Sequence, residues 1–351
     1  MSGTVYKVGD LAPPPLPRRS EAEVMARWQG DKPVVSILCP TYQHVGFIED
    51  ALRGFLGQDT DFPFEILVRD DASTDGTAEI VRDYAERYPN IIRAVLETEN
   101  RWSEVRPLQA LGPMVRGEFI AICEGDDYWI GPEKLQHQVE QLRANPDRVV
   151  SHHQALVIAD GKVTSSERLP KSQARSHSSR ELARGAWTLT LSMVYRNVKI
   201  SSHPYSSRFL NGDEYLRAQL GLHGGSTYLA GPALAVYRMH SGGIWSLRPT
   251  PMQSIDQASS FFWIGWSFAE SGHKDLAAWW LGRSLTKVKK SLAESHGVYP
   301  KISAVKALSW YARRAVGFRR FSSLKRSIER SSLKTRWISS RRPKRMFRDA
   351  V

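Results

Sequence analysis

The sequence lacks any apolar run that approaches the roughly 18 uninterrupted residues of a membrane-spanning helix. The longest candidates, residues 231–237 and 261–266, are far shorter. An apolar signal-peptide core is also missing from the first 32 residues, where Pro13-Pro14-Pro15 stands instead. We therefore expect a cytoplasmic protein with no membrane span and no secretory leader.

Cysteine is scarce as well, with only Cys39 and Cys123 among 351 residues. Each lies at the end of an apolar run, and no spacing typical of metal ligands surrounds either of them. These positions predict buried, reduced thiols and argue against a disulfide or a cysteine-based metal site.

An excess of positive charge is missing from most of the chain, although the net charge is +13. Residues 301–351 hold 16 basic and 2 acidic residues, which leaves 33 basic and 34 acidic residues for 1–300. The tail mixes its basic residues with Trp and Phe, so an anionic membrane surface is the favoured partner. Nucleic acid and a merely solvated tail are the alternatives, and confinement of the charge to the tail argues against a nucleic-acid-binding protein.

Apolar runs alternate with amphipathic helical patterns from Pro33 onward, which predicts an α/β fold with a doubly wound, mostly parallel sheet. The predicted strands are 34–39, 65–68, 91–96, 119–123 and a last one from 228 to 237, with an edge hairpin built on 155–158 and Asp160-Gly161. The predicted helices are 46–56, one from Ser73 to near Pro89, 108–115, and one with Pro132 in its first turn. We divide the chain into a flexible leader (1–32), the main domain (33–250), a helical extension (251–300) and a basic amphipathic tail (301–351).

Unusual polar residues follow three of the predicted strands: Pro40-Thr41-Tyr42, Asp70-Asp71 and Asp126-Asp127. Carboxylates at the end of a buried strand are costly unless a positive group lies against them, and a divalent cation on a ligand's phosphates is one such group. Ligands of open parallel sheets bind beyond the carboxyl ends of the strands. Each acid taken singly is equally well interpreted as a helix cap or turn residue.

Together these segments resemble the family 2 glycosyltransferases with the GT-A fold, over about residues 33–247. The motifs that carry the resemblance are Val35-Ser36-Ile37-Leu38-Cys39-Pro40-Thr41-Tyr42, Asp70-Asp71-Ala72-Ser73-Thr74-Asp75-Gly76-Thr77, Glu124-Gly125-Asp126-Asp127-Tyr128-Trp129, Lys134-Leu135-Gln136-His137-Gln138, Gly212-Asp213-Glu214-Tyr215-Leu216 and Tyr237-Arg238-Met239-His240-Ser241-Gly242-Gly243-Ile244-Trp245-Ser246. They are similar to those of a bacterial branch that builds surface polysaccharides.

The resemblance implies a binding site for a nucleoside-diphosphate sugar, most often a UDP-sugar. Tyr42 is expected to stack on the nucleobase, in a pocket that Pro40 and Thr41 shape. Asp71 is expected to accept a hydrogen bond from the base, with Asp70 beside it.

The resemblance also implies the residues of metal binding and catalysis. Asp126 and Asp127 stand where the family keeps its Asp-x-Asp motif. Asp126 is expected to bind the nucleotide, Asp127 to be the main ligand of Mn²⁺ or Mg²⁺, and His240 to be a further metal contact. Arg238 is expected at the diphosphate, and Asp213 at the position of the catalytic base. One carboxylate base with no protein nucleophile is the arrangement for transfer with inversion.

The chain departs from the family pattern at several positions. Gln43 and Ala72 replace a more usual Asn and Gly, and Glu214 after Asp213 is an alternative base. The alternative interpretation of His240 is a surface histidine with no metal role. The alternative interpretation of Arg238 is a surface salt bridge. His152-His153 suggests a metal but is more often structural, and Trp129 and Trp245 are open between sugar binding and packing.

The sequence thus predicts a metal-dependent, inverting glycosyltransferase with a saccharide or lipid-linked saccharide acceptor. A peripheral location on the inner face of the cytoplasmic membrane is the expectation that the basic tail adds. A degenerate nucleotide- or glycan-binding protein is the main alternative. A sugar-nucleotide-forming nucleotidyltransferase is disfavoured, because the glycine-rich loop it needs after the first strand is replaced by Pro40-Thr41-Tyr42-Gln43.

Overall fold

A computed structural model describes residues 4–101, 104–200, 211–242 and 249–294. Its strands are β1 Val35–Thr41, β2 Phe64–Asp70, β3 Ile92–Leu96, β4 Phe119–Ile122, β5 Tyr128–Trp129, β6 Arg148–His152, β7 Ala155–Ala159, β8 Lys162–Ser165, β9 Val194–Arg196, β10 Gly225–Tyr228 and β11 Ala235–Met239. Its α-helices are α1 Glu21–Met25, α2 Ile48–Leu56, α3 Thr77–Arg87, α4 Pro107–Leu111, α5 Lys134–Ala144, α6 Ser179–Ala183, α7 Gly212–Leu220, α8 Thr250–Glu270 and α9 Lys274–Glu294.

The main sheet has seven strands in the order β10-β6-β9-β4-β1-β2-β3. Strand β1 lies parallel to both β2 and β4, β2 is parallel to β3, and β6 is parallel to β10. Only β9 runs antiparallel to its neighbours, β4 and β6. The predicted α/β fold with a mostly parallel sheet is confirmed.

The sheet is covered on both faces, which explains why its strands are continuous apolar runs. Alternate residues of β1 enter two different core clusters. Ile37 packs in the cluster that contains Leu52 of α2, and Leu38 packs in the one that contains Leu216 of α7. Every residue of β2 is buried.

A second, four-stranded sheet in the order β5-β11-β7-β8 was not predicted. Strand β11 joins β7 in parallel and β5 in antiparallel orientation, so it ties the chain near residue 237 to the segment after β4. The predicted edge hairpin is confirmed as β7–β8, and its turn residues Asp160 and Gly161 have φ of 50° and 73°.

Several element boundaries differ from the predictions. The single strand expected within 228–237 is wrong, because β10 ends at Tyr228 and β11 begins at Ala235 in the other sheet. The helix expected over 108–115 stops at Leu111 and continues as a 3₁₀ turn, Gly112–Met114, whose Pro113 cannot extend an α-helix. Pro132 precedes α5 rather than lying in its first turn.

The leader contacts the domain along its described length, contrary to the flexible segment expected. Gly9 donates its N–H to the carbonyl of Val163 in β8, and Pro13 accepts a hydrogen bond from the Tyr128 hydroxyl at 2.6 Å. The Arg53 guanidinium reaches the carbonyl of Leu16, and the Tyr88 hydroxyl reaches that of Arg19. The leader is therefore attached to the domain through its backbone, while side chains such as Val5 and Leu11 stay exposed.

The remaining expectations have different outcomes. Cys39 and Cys123 are buried free thiols, as predicted, and burial raises the pKa of each. Among the described helices, none is both long and apolar enough to cross a membrane. Residues 301–351 lie outside the described residues, so the membrane role of the tail stays a prediction.

Candidate functional site

The three predicted strand ends meet at one edge of the main sheet. Because β1 lies between β2 and β4 and is parallel to both, the carboxyl ends of the three strands are adjacent. Thr41 is the register partner of Asp70, and the turn that carries Asp126 and Asp127 follows β4. This edge is the candidate site.

The turns after β1 and β2 are held to each other by side-chain amides and hydroxyls. Gln43 donates its backbone N–H to Ser73 Oγ at 2.9 Å and its Nε2 to Thr74 Oγ1 at 3.0 Å, while the Thr74 N–H returns a bond to Gln43 Oε1. Gln43 and Ala72 both have left-handed backbone, with φ of 56° and 62°. These three hydrogen bonds, which we call the clamp, fix the relative position of the two turns.

The two acids at the end of β2 have different surroundings. Both oxygens of Asp70 accept bonds from Ser73, one from its hydroxyl and one from its backbone N–H, so Asp70 shapes the turn. Asp71 Oδ1 accepts from the Arg69 guanidinium at 2.8 Å and from the Arg101 N–H at 3.0 Å. Asp71 Oδ2 is buried and has no hydrogen-bond partner among the described residues. A buried carboxylate oxygen of this kind is suited to accept an N–H from a ligand.

The pocket residues of β1 differ in accessibility. Thr41 is buried, Pro40 is half-buried, and the Tyr42 side chain is 41% exposed. The Tyr42 ring is thus accessible for stacking beside the turn of Asp71.

Three carboxylates crowd the turn after β4. Burial, followed by the charge of Asp126, raises the pKa of Glu124 to about 7. Burial and the charges of Asp126 and Glu124 raise the pKa of Asp127 well above its usual value. Burial acts to raise the pKa of Asp126 too, but the hydrogen bond from His240 and the nearby His44 outweigh it, and the net shift of this pKa is downward. The turn is a concentrated negative site, a setting that favours a bound cation.

His44, Asp126 and His240 form the candidate metal group. One ligand atom from each lies within 4.8 Å of the others. His240 Nε2 is 3.1 Å from Asp126 Oδ2, and His44 Nε2 is 3.8 Å from the same oxygen. His44 Nδ1 lies 3.2 Å from the Thr41 hydroxyl, a contact that can hold the imidazole with Nε2 free to bind.

His240 is arranged differently from His44. Its Nδ1 accepts the backbone N–H of Gly242 at 3.2 Å, so neutral His240 carries its proton on Nε2 and donates it to Asp126. A metal bound at Nε2 would take the place of that proton. In this structure His240 is a hydrogen-bond donor to Asp126.

Asp127 and Arg238 are both predicted site residues, and each forms hydrogen bonds within or next to the acidic turn. Asp127 Oδ1 accepts the backbone N–H of Arg238 at 2.9 Å. The Arg238 guanidinium bonds to the Asp126 carbonyl at 3.2 Å and to the carboxylate of Asp50, and it lies over the Tyr128 ring at 4.3 Å. This geometry makes Arg238 a support of the acidic turn rather than a free diphosphate contact. Asp126, not Asp127, is the acid beside both histidines.

Asp213 lies in the first turn of α7 and forms an ion pair with Arg217, with Nη1 2.9 Å from Oδ2. Glu214 is 3.3 Å from the same guanidinium, and its side chain is 16% exposed against 36% for Asp213. Asp213 also contributes to the raised pKa of Glu124, after burial and Asp126. Helix α7 thus carries Asp213 to the same edge as the acidic turn.

Two predicted candidates lie apart from this chemistry. His152 and His153 are buried; His152 stacks on His177 with ring centroids 5.7 Å apart, and burial lowers the pKa of His152 to about 3. Trp129 is fully buried and donates Nε1–H to the Leu191 carbonyl at 2.8 Å, so it is a core residue. Trp245 lies outside the described residues.

Sequence reasoning missed His44 and Asp50. His44 stands two residues after Tyr42, in the turn that the motif marks, so its position next to a strand end was an available signal. Asp50 is on α2, and nothing local in the sequence links it to Arg238, 188 residues later.

Comparisons with known proteins identify what the chain resembles. Residues 36–205 match the family described as Glycosyl transferase family 2. An uncharacterized protein of Mycobacterium tuberculosis is 37% identical over 211 residues, which cover 60% of this chain and 60% of that relative. The putative teichuronic acid biosynthesis glycosyltransferase TuaG of Bacillus subtilis is 34% identical over 116 residues, which cover 33% of this chain and 43% of TuaG. The matches thus span less than two thirds of these relatives' length.

Solved structures show the same fold. The crystal structure of residues 1–349 of S. aureus TarS in complex with UDP-GlcNAc superposes with a TM-score of 0.60 at 19% identity, over 79% of this chain and 80% of that one. The likeness is one of fold, and it confirms the predicted GT-A-type architecture.

Proposed function

The chain belongs to glycosyl transferase family 2 through residues 36–205, and on that premise we propose that it transfers a sugar from a nucleoside-diphosphate sugar to a saccharide or lipid-linked saccharide. One observation carries the proposal. An unpartnered, buried carboxylate oxygen on Asp71 and the donor atoms of His44, Asp126 and His240 share the edge where β1, β2 and β4 end. Such an edge is where open α/β sheets bind ligands.

The nucleotide half of the site comprises the ends of β1 and β2. The free Oδ2 of Asp71 accepts an N–H of the base, and the exposed ring of Tyr42 stacks on it. Asp70, with both oxygens on Ser73, positions the turn instead of touching the nucleotide. UDP-sugars are the first donors to test, because TarS was crystallised with UDP-GlcNAc.

The metal half of the site is assigned to Asp126, His44 and His240. We move the principal metal role from Asp127 to Asp126, because Asp126 is the acid within reach of both imidazoles. Two imidazoles among three donors favour Mn²⁺ over Mg²⁺, which prefers oxygen ligands. When bound, the cation stabilises the negative charge that grows on the leaving diphosphate.

Asp213 is the proposed general base for the acceptor hydroxyl. Its carboxylate is more exposed than that of Glu214, and Arg217 holds it in place from one turn along α7. A single base without a protein nucleophile corresponds to inversion at the transferred sugar. TuaG is a putative glycosyltransferase of teichuronic acid biosynthesis, and this similarity supports a polysaccharide as the product of the pathway.

Release of nucleoside diphosphate from a panel of nucleotide sugars, with Mn²⁺ or with EDTA, tests the proposal. We expect one donor to be turned over only with metal, and Asp213→Asn to reduce the rate by roughly 10²-fold or more. Asp160→Asn, on an exposed hairpin turn, is the matched control and keeps the rate. The anomeric configuration of the product, read by proton NMR, reports inversion. No release from any donor leaves the degenerate binding protein as the better account.

A further inference from the structure

An arginine stands between two aromatic rings close to the acidic turn. The guanidinium carbon of Arg168 lies 5.1 Å from the ring centroid of Trp187 and 4.9 Å from that of Tyr237. All three side chains are half-buried. We call these three residues the Arg168 cluster.

The Arg168 cluster is held rigidly by its backbone. Arg168 donates its N–H to the Ala155 carbonyl at 3.0 Å and to Gln154 Oε1 at 2.8 Å. Trp187 donates its N–H to Gln173 Oε1 at 2.9 Å, and Tyr237 lies within β11. The arrangement is thus formed before any ligand arrives, which lowers the ordering cost of binding.

One side of the cluster adjoins the acidic turn. Tyr237 precedes Arg238, whose N–H is bound by Asp127. The Tyr237 hydroxyl is near enough to the turn that Asp127, after burial, raises its pKa, while Arg168 lowers it. The donor side of the site is therefore the immediate neighbour of the cluster.

The other side adjoins the proposed base. Trp187 precedes Thr188, whose carbonyl accepts the Arg217 guanidinium at 3.2 Å. The same Nη1 of Arg217 holds Asp213 Oδ2 at 2.9 Å. An acceptor must place its hydroxyl between donor and base, and the Arg238 and Thr188 backbone bonds connect the Arg168 cluster to both sides of the site.

Arg168 also differs in charge balance from the other arginines of the site. Arg69, Arg217 and Arg238 each have a carboxylate within 4 Å. Within the described ranges, Arg168 forms no ion pair with any acid. A half-buried guanidinium that has no carboxylate partner among the described residues, and that lies between two rings and beside the Tyr237 hydroxyl, is suited to bidentate recognition of a phosphate or carboxylate.

We propose that the Arg168 cluster is an acceptor subsite that selects a sugar bearing an anionic group, either a phosphate or a carboxylate. The inference rests on the proposed transferase function, since it assigns the acceptor side of the same site. The guanidinium binds the anion, and the Trp187 and Tyr237 rings contact the adjoining sugar. Sugars without a negative charge lose the contact to Arg168.

Calorimetric titration with three four-unit probes tests the subsite: a phosphorylated maltotetraose, tetragalacturonate and neutral maltotetraose, each with UDP and Mn²⁺ present. We expect wild type to bind one or both anionic probes at least tenfold more tightly than maltotetraose. Arg168→Gln should remove that preference, and Arg168→Lys, which keeps the charge but not the fork, should retain part of it. Arg82→Gln, an exposed arginine of α3, is the control and leaves binding unchanged.

The outcomes separate the subsite from the donor site. Binding of only one anionic probe identifies phosphate or carboxylate as the group recognised. Equal affinity for all three probes, no binding of either anionic probe, or an unchanged preference in Arg168→Gln overturns the proposal. Thermal stabilisation by UDP and Mn²⁺ is measured on the same Arg168→Gln sample. If UDP and Mn²⁺ do not stabilise even the wild type, the proposed function is refuted. If they still stabilise Arg168→Gln while this variant has lost the preference for anionic probes, the subsite is supported.

Discussion

Two residues with left-handed backbone shape the turns of the site. Gln43 and Ala72 have φ of 56° and 62°, a region where side chains other than Gly, Asn and Asp are disfavoured. The sequence signalled both positions, because they are where the chain departs from the family's more usual Asn and Gly. The sequence did not show that these two residues have strained backbone, because their φ angles depend on the hydrogen bonds between the two turns.

Replacing Ala72 by glycine should therefore stabilise the protein. Removing the Cβ at this φ relieves roughly 1 kcal/mol of strain, partly offset by the greater freedom of glycine in the unfolded chain. We expect a midpoint of urea unfolding equal to or higher than that of wild type. Ala144→Gly, at the exposed end of α5, is the control and should lose about 0.5–1 kcal/mol. An equal loss in both variants would contradict the strain.

Lys134 is an ionisable residue that the fold buries completely. Its Nζ lies 3.8 Å from the Trp129 ring centroid and has no hydrogen-bond partner among the described residues. Burial lowers the pKa of Lys134 from 10.5 to about 7. Between these pH values the unfolded chain binds a proton here that the folded chain does not, so this residue reduces stability as the pH falls from 10.5 to 7.

Lys134→Met should remove that pH dependence. We expect the variant to exceed wild type by roughly 1 kcal/mol or more at pH 7, with a smaller difference at pH 9.5. Urea unfolding at both pH values measures the two differences. Lys171→Met, on the exposed loop after β8, is the control and should have the stability of wild type at both pH values. A difference that is the same at pH 7 and 9.5 would show that Lys134 is charged in the fold.

At the scale of elements, long apolar strands were predictable and short ones were not. Strands β1 and β2 have seven residues each and are nearly or wholly buried, so their apolar runs are visible. Strand β5 has two residues and β9 has three, and each depends on pairing with distant segments. The second sheet has no local signature for this reason, and neither does the packing of the leader.

The leader should contribute measurably to stability. Leu16 packs so closely on Gly57, the residue that caps the C-terminus of α2, that a Cβ there would lie 2.7 Å from the Leu16 side chain. We expect Leu16→Ala to lower the free energy of unfolding by about 1–2 kcal/mol. Leu11→Ala, at a side chain that is 77% exposed, should stay within about 0.5 kcal/mol of wild type. Thermal unfolding measures the loss of stability in both variants. Equal losses in Leu16→Ala and Leu11→Ala would mean that the leader does not pack on the domain.

At the scale of the whole molecule, the excess positive charge is confined in the sequence to residues 301–351, after all the residues of the candidate site. The excess of 14 positive charges in 301–351 predicts salt-sensitive binding to anionic vesicles, which should disappear when the chain is truncated after Pro300. Co-sedimentation with vesicles of mixed anionic and neutral lipids measures it. Neutral vesicles are the control, and binding that survives the truncation would place the membrane contact in the body instead.

The family and the strand-end location of the site were predictable from motifs, but the division of labour within the site was not. Adjacent acids such as Asp126 and Asp127 are equivalent in a sequence. Only the packing of β11 shows that one is bound by the Arg238 N–H while the other lies beside His44 and His240. The part played by Asp50 likewise depends on a contact across 188 residues.

The measurement that tests the account most directly is thermal unfolding with UDP, with and without Mn²⁺, for wild type, Asp126→Asn and Asp127→Asn. A ligand at 100 times its dissociation constant adds about 2.7 kcal/mol, which should raise the midpoint by roughly 5 °C or more in a domain of this size. We predict a rise that needs Mn²⁺, is lost in Asp126→Asn and is largely kept in Asp127→Asn. A rise that is independent of Mn²⁺, or that Asp126→Asn leaves intact, would contradict the assignment of the metal to Asp126 and the two histidines.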